Sequence, residues 1–273
     1  MTESTSKDIV FKIQRYNPEQ GGEAYWQEFN VAWSRGMTVL DGLIYVKEEL
    51  DSTLAFRSSC RMGICGSCAM FINSYPRLAC ATQIEELHSE TLTLKPLPNM
   101  SVIKDLVTDL TPLFRKHRSI KPYIIRYDTE EMENPTQEFN QKPRDMDQFL
   151  QFSYCITCGI CVAACPTSAS DRLYLGPQAL AQCYRYCADN RDGGEEERLA
   201  EASAAHGVWH CHYANSCSEA CPKGVDPALA IQLLKKRLAS RTLGLGKKQQ
   251  PCPPVSYPDE TKPRVPVPEF TAE

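Results

Sequence analysis

Two patterns predict an α+β chain whose two halves differ in class. The amino-terminal part alternates apolar and polar residues with period two before any helical spacing appears, and beyond residue 145 the spacing is helical with no alternation. A third observation divides the chain the same way: its fourteen cysteines concentrate in separate runs, one in the first half and two in the second. At 273 residues the length suits roughly two domains, each able to bury a core. The formal net charge of -4 gives no basic field to hold nucleic acid. The opening MTESTSKD is polar and lacks a secretory pattern, so the cysteines read as metal ligands in a reducing compartment rather than as disulfides. No run approaches the ~18 apolar residues of a membrane helix, so membrane association is expected through partners. The absence of an Arg-rich amphipathic leader favours a prokaryotic cytoplasmic protein.

Residues 8 to 16 place Ile9, Phe11 and Ile13 on one face, a turn follows from Asn17 to Gly22, and residues 25 to 33 alternate again, so the chain opens as a β-hairpin. Thr38 is a candidate cap for a helix through Leu50, with Leu40, Leu43, Ile44 and Leu50 on one side. Next, SSCRMGICGSCAM sets Cys60, Cys65 and Cys68 as CxxxxCxxC, and Cys80 follows after eleven residues. That is the plant-type 2Fe-2S spacing, and Gly63 and Gly66 let a loop curl its N-H groups toward sulfur. A four-thiolate zinc site is the competitor, though zinc sites favour paired CxxC knuckles. Ser101 to Leu110 reads as a capped helix leaving the first domain. Residues 128 to 145, charged and broken by Pro135 and Pro143, have linker composition.

In the second half CITCGICVAACP reads CxxCxxCxxxCP from Cys155 to Pro166, the spacing that gives three thiolates to one cube and the fourth to a second cluster. CHYANSCSEACP repeats it with Cys211, Cys217 and Cys221, but the position of the second cysteine is Ala214. With crossed ligation, Cys155, Cys158, Cys161 and Cys221 complete a 4Fe-4S set. Cys165, Cys211 and Cys217 remain as three ligands, which suit a 3Fe-4S cluster, the alternative being a 4Fe-4S site with another group at the open corner. Helices are expected from Gly176-Pro177 and over GVDPALAIQLLKKRLAS, with Asp226 as cap, Pro227 at the first position and Ile231, Leu234 and Leu238 inward. The tail from Leu245 has no periodicity and reads as extended.

Three further groups have ordinary readings. Cys183 and Cys187, four apart on a helix, read as free buried thiols. His206, His210 and His212 around Trp209 invite zinc, but the cysteine motif explains that stretch better. Lys235 in LLKKRL reads as part of a basic helical end.

Together SCRMGICGSCAM, CITCGICVAACP, CHYANSCSEACPKGVDP and RYCADNRDGG resemble the iron-sulfur subunit of respiratory complex II, the succinate dehydrogenase and fumarate reductase family, over residues 8 to about 243. The resemblance implies a β-grasp-like, plant-type ferredoxin domain at 8–115, a linker at 116–145, a mostly α-helical, bacterial-ferredoxin-like domain at 146–243 and a tail at 244–273. It implies 2Fe-2S, 4Fe-4S and 3Fe-4S clusters, a FAD-containing flavoprotein partner, membrane-anchor subunits and a quinone. No nucleic acid is implied. It also places a quinone pocket at Pro166, His212, Ala214 and Lys235, although PTSASDRLYLGP lacks the tryptophans that many succinate dehydrogenases carry after that proline. For His212, support of the cluster is the competing role. The chain has no acid-base pair or nucleophile motif, so chemistry on succinate belongs to a flavin in a partner. The expected function is a single-electron relay in a succinate:quinone oxidoreductase at the cytoplasmic face of the membrane, peripheral and held through partners. A quinol:fumarate reductase or a soluble thiol-linked fumarate reductase is the alternative, and a zinc-binding module is the rival outside that class.

Overall fold

A computed structural model describes residues 7–134, 138–139 and 141–245. Its first half is a five-stranded sheet with one helix across it. Strands β1 (Lys7–Arg15) and β2 (Tyr25–Trp33) form the expected antiparallel hairpin, with Phe11 opposite Phe29 and Ile9 opposite Val31. β3 (Ala69–Ile72) pairs with β4 (Tyr75–Leu78), and β5 (Thr91–Lys95) runs between β1 and β3, giving the order β2-β1-β5-β3-β4. β5 is parallel to β1, a pairing that requires a crossover and explains why the central strand comes late in the chain.

Helix α1 (Val39–Tyr45) starts at the predicted cap: Thr38 Oγ1 accepts the Asp41 N–H while Asp41 Oδ2 accepts the Thr38 N–H. It continues as one wide turn, Val46–Leu50. Val39, Leu40, Leu43 and Val46 are buried with Phe11, Ile13, Leu92 and Leu94. Gly42 sits directly on the Phe11 ring, where a Cβ would come within 2.4 Å of Cζ, so this contact sets how closely helix and sheet approach.

Residues 101 to 110 are not the expected helix. They form a short hairpin, β6 (Val102–Lys104) and β7 (Val107–Thr108), with Asp105 at φ 45° in the turn. The buried Asp105 carboxylate accepts from Arg15 Nε at 3.0 Å, Tyr16 N at 3.0 Å and Ala55 N at 2.8 Å, so two distant segments fix the turn against local helix propensity.

The helical half comprises α2 (Thr111–Ser119), α3 (Thr129–Glu133), α4 (Pro143–Asp147), α5 (Leu150–Ser153), α6 (Ile160–Ala163), α7 (Pro166–Ser170), α8 (Gly176–Ala188), α9 (Glu195–Ser203), α10 (Ser216–Glu219) and α11 (Pro227–Thr242). Asp226 caps α11 by accepting the Leu229 N–H, and Ile231 and Leu234 face inward as the spacing required. Arg198, fully buried, pairs with Asp192 and donates to the carbonyls of Ile120, Lys121 and Tyr123, tying that segment to the helical core. The tail from 246 onward, with Cys252, lies outside the described residues.

Candidate iron-sulfur sites

The first site is a loop wrapped around sulfur. Arg61, Gly63 and Gly66 all have positive φ, which turns successive N–H groups inward. Cys60 Sγ accepts from Met62, Ile64 and Cys65 N at 3.5, 3.3 and 3.2 Å, Cys80 Sγ from Gly63 N at 3.2 Å, and Cys68 Sγ from Cys80 N at 3.5 Å. Cys65 is exposed, and the Ser67 hydroxyl 2.8 Å from its sulfur, helped by peptide N–H groups, brings its thiol down to about 6. Burial pushes Cys68 up to about 12. The donor set is three sulfurs of one dipole-lined loop and Cys80 from the turn after β4, which fits a cluster of net negative charge.

The second site gathers residues far apart in sequence. Cys155, Cys158 and Cys161 line one pocket with Cys221, Gly159 and Gln178. Burial, with the charges of the neighbouring thiols adding to it, pushes Cys158 up to about 12 and drives Cys161 well above the usual thiol range. Four sulfurs converging on one pocket fit a multivalent metal centre, which would take the place of the thiol protons. The sequence reading missed Gln178, which is buried, bonds His117 Nδ1 at 3.1 Å through Nε2 and leaves Oε1 without a protein partner. Its polar identity inside an apolar helical run was the signal.

The third pocket is lined by Cys165, Cys211 and Cys217 together with Pro166, His212 and Ala214. Cys165 Sγ accepts from Ser168 N and Cys211 Sγ from Tyr213 N, both at 3.4 Å, and burial pushes Cys217 up to about 11. Lys235 is not in the lining: its Nζ donates to Cys211 O at 2.9 Å, so it braces the cysteine segment from behind. Tyr174, almost fully buried, faces all three thiols, and its phenol is held protonated by burial and by their charge. Nothing in local spacing pointed to it. Cys183 and Cys187 are buried in the helical core and line neither cysteine pocket, Cys183 donating to Arg198 O at 3.6 Å.

The three sites stand in file. Gly66 of the loop lies against Cys158, where a Cβ would come within 2.6 Å of the Cys158 Cβ, and Cys161 shares a small buried cluster with Cys217. Asn99 Nδ2, from the first half, donates to the carbonyls of Val162, Ala163 and Cys165 and fixes this docking.

Comparison with known proteins follows the same division. Residues 10–115 match the 2Fe-2S iron-sulfur cluster binding domain and residues 151–225 the 4Fe-4S dicluster domain. A fumarate reductase iron-sulfur subunit of Mycobacterium tuberculosis is 45% identical over 86% of this chain and 94% of that protein. The Haemophilus influenzae protein of the same name is 40% identical over 81% of this chain and 89% of its own length. A chain of the Mycobacterium smegmatis Sdh1 complex in the apo form superposes with a TM-score of 0.78 at 24% identity, covering 88% of this chain and 98% of that one. No described helix is long and apolar enough to cross a membrane.

Proposed function

This chain belongs to the family of fumarate reductase and succinate dehydrogenase iron-sulfur subunits, and from that premise we propose that it relays single electrons between a flavoprotein acting on succinate or fumarate and a membrane quinone. Cys60, Cys65, Cys68 and Cys80 would hold the 2Fe-2S cluster; Cys155, Cys158, Cys161 and Cys221 the 4Fe-4S cluster; Cys165, Cys211 and Cys217 a 3Fe-4S cluster, opposite Ala214. When bound, these groups supply one-electron redox chemistry. The protein's own residues order the three sets, donate N–H groups to sulfur at the loop, exclude water from the helical pair and keep Tyr174 protonated beside the last set. The observation that most strongly supports this reading is the gathering of Cys221 with Cys155, Cys158 and Cys161, while Cys165 joins Cys211 and Cys217.

Pro166, His212 and Ala214 form an open lining that would receive the quinone, with Lys235 holding its floor in place. The domain bounds follow as 8–115, 116–145, 146–243 and a tail at 244–273. The FAD subunit and the membrane anchor are the partners, and the chain sits peripherally at the cytoplasmic face. The name shared by the relatives favours fumarate reduction as a second reading of direction. A potentiometric titration of the purified complex followed by electron paramagnetic resonance tests the assignment and the direction: three distinct iron-sulfur signals are expected, including a three-iron signal in the oxidised state, and two signals only would overturn the third assignment.

A further inference from the structure

We propose that Asp171, His206 and His210 form a binding site for one divalent transition cation of the zinc class, separate from the cysteine sites. Asp171 Oδ2 lies 2.7 Å from His206 Nδ1 and 3.3 Å from His210 Nδ1, and the three candidate ligand atoms all fall within 4.8 Å of one another. The imidazoles are not stacked, with centroids 5.4 Å apart and planes tilted by 47°, and both turn Nδ1 toward the same Asp171 oxygen.

An Asp with one histidine is an ordinary ion pair, but two imidazoles converging on a single carboxylate oxygen make a nitrogen-oxygen donor set suited to zinc and its neighbours. Ligands about 2.0–2.1 Å from zinc in a tetrahedron stand roughly 3.4 Å apart, so the His210 contact already matches and the His206 contact must open by roughly 0.7 Å. On binding, each imidazole carries its proton on Nε2 and gives the Nδ1 lone pair to the cation.

The scaffold is built to keep these groups together. Asp171 Oδ1 is held by the Leu173 N–H at 2.8 Å, leaving Oδ2 for the histidines. Leu175 N donates to His206 O at 2.9 Å and ties the histidine segment to the Asp171 turn. Between the histidines, Gly207 passes so close to Ala202 that a Cβ would lie 2.0 Å from its carbonyl oxygen, which sets the bend that returns His210 toward His206. Side-chain exposures of 20% for Asp171 and 43% for each histidine leave a path for a hydrated cation and a water at an open position. His212, the third histidine of that stretch, lines the three-cysteine pocket instead, and Asp171 takes its place from 35 residues upstream of His206.

The test uses the complex purified with its partners, treated with EDTA, desalted and equilibrated with zinc buffered at micromolar activity. One zinc per copy is expected, with a zinc-edge absorption shell of nitrogen and oxygen at about 2.0–2.1 Å and no sulfur. His206→Ala and His210→Gln should each weaken uptake at least tenfold while iron and sulfide per complex stay at the wild-type value. The wild-type complex taking up no zinc, a shell containing sulfur, or a variant with full iron content binding zinc as wild type does would each overturn the proposal. The absorption measurement needs no variant, and iron content reads the relay separately, so failure of the zinc site leaves that reading standing.

Discussion

At the glycine-rich loop Cys60 Sγ alone receives three peptide N–H groups, and Cys65 lies at the surface with its thiol near 6. In the three-cysteine pocket Cys165 and Cys211 each accept one N–H at 3.4 Å, and the buried Cys217 is pushed up to about 11. The two regions therefore stabilise sulfur charge by different means. At the loop, backbone dipoles and solvent serve Cys60 and Cys65, whereas the buried Cys68 is pushed up to about 12 as Cys217 is in the pocket and depends, like it, on the metal centre. One consequence is that adding a ligand in the pocket alters the site's identity, whereas removing a hydrogen bond to a loop sulfur only tunes that site.

The largest expected effect follows at Ala214. Ala214→Cys supplies a thiolate in the pocket lining where the repeated motif asks for one, so the site should accept a fourth iron and lose its three-iron signal. The added thiolate changes the net charge of the unit, and the potential should fall with slower delivery to quinone. An unchanged three-iron signal with normal iron content in the oxidised variant would show that residue 214 does not face the open corner.

Packing at the loop comes next. Gly63 and Gly66 have nearly the same φ, 70° and 75°, but a Cβ at 63 meets only the Ala81 Cβ at 3.8 Å, whereas at 66 it would overlap Cys158. Gly63→Ala should cost roughly 1–2 kcal/mol from backbone strain alone. Gly66→Ala should cost roughly 2–5 kcal/mol, because overpacking adds to the same strain. Thermal unfolding monitored through loss of visible absorption separates the two, and equal shifts would mean that the halves do not dock at Cys158.

His212→Ala is expected to slow quinone reduction about tenfold while succinate oxidation with an artificial acceptor stays near wild type. A matched fall in both activities would assign His212 to support of the pocket.

The smallest effect is at Ser67. Removing its hydroxyl takes a 2.8 Å hydrogen bond from Cys65 Sγ, and the 2Fe-2S potential should become more negative by less than about 59 mV, the value of a tenfold change in a one-electron equilibrium. A change in signal type, instead of a small shift, would contradict the view that the loop tunes without defining its site.

Legibility tracks how local each determinant is. The β1–β2 hairpin, the Thr38 cap and the Asp226 cap were readable because alternation and capping act over a few residues. Residues 101 to 110 were misread as helix because the deciding partner of Asp105 is Arg15, ninety residues away in sequence. Tyr174 and the Gly66 contact were invisible for a related reason: each matters through a pocket or an interface assembled from separate segments. The cysteines were the exception among long-range features, since cluster chemistry imposes its own spacing on the chain.

The exchange of last cysteines between the two helical motifs also sets a timetable for biosynthesis. Cys60 to Cys80 form a nearly local set, so the loop can receive its metal soon after the ribosome releases it. Cys155 must wait for Cys221, and a nascent chain grows by about 5–20 residues per second, a delay of roughly 3–13 s before the second set can exist at all. During that interval Cys155, Cys158 and Cys161 stand without their fourth neighbour. Loading of the second set is therefore a late step, and a chain truncated shortly before Cys221 should lack the second cluster.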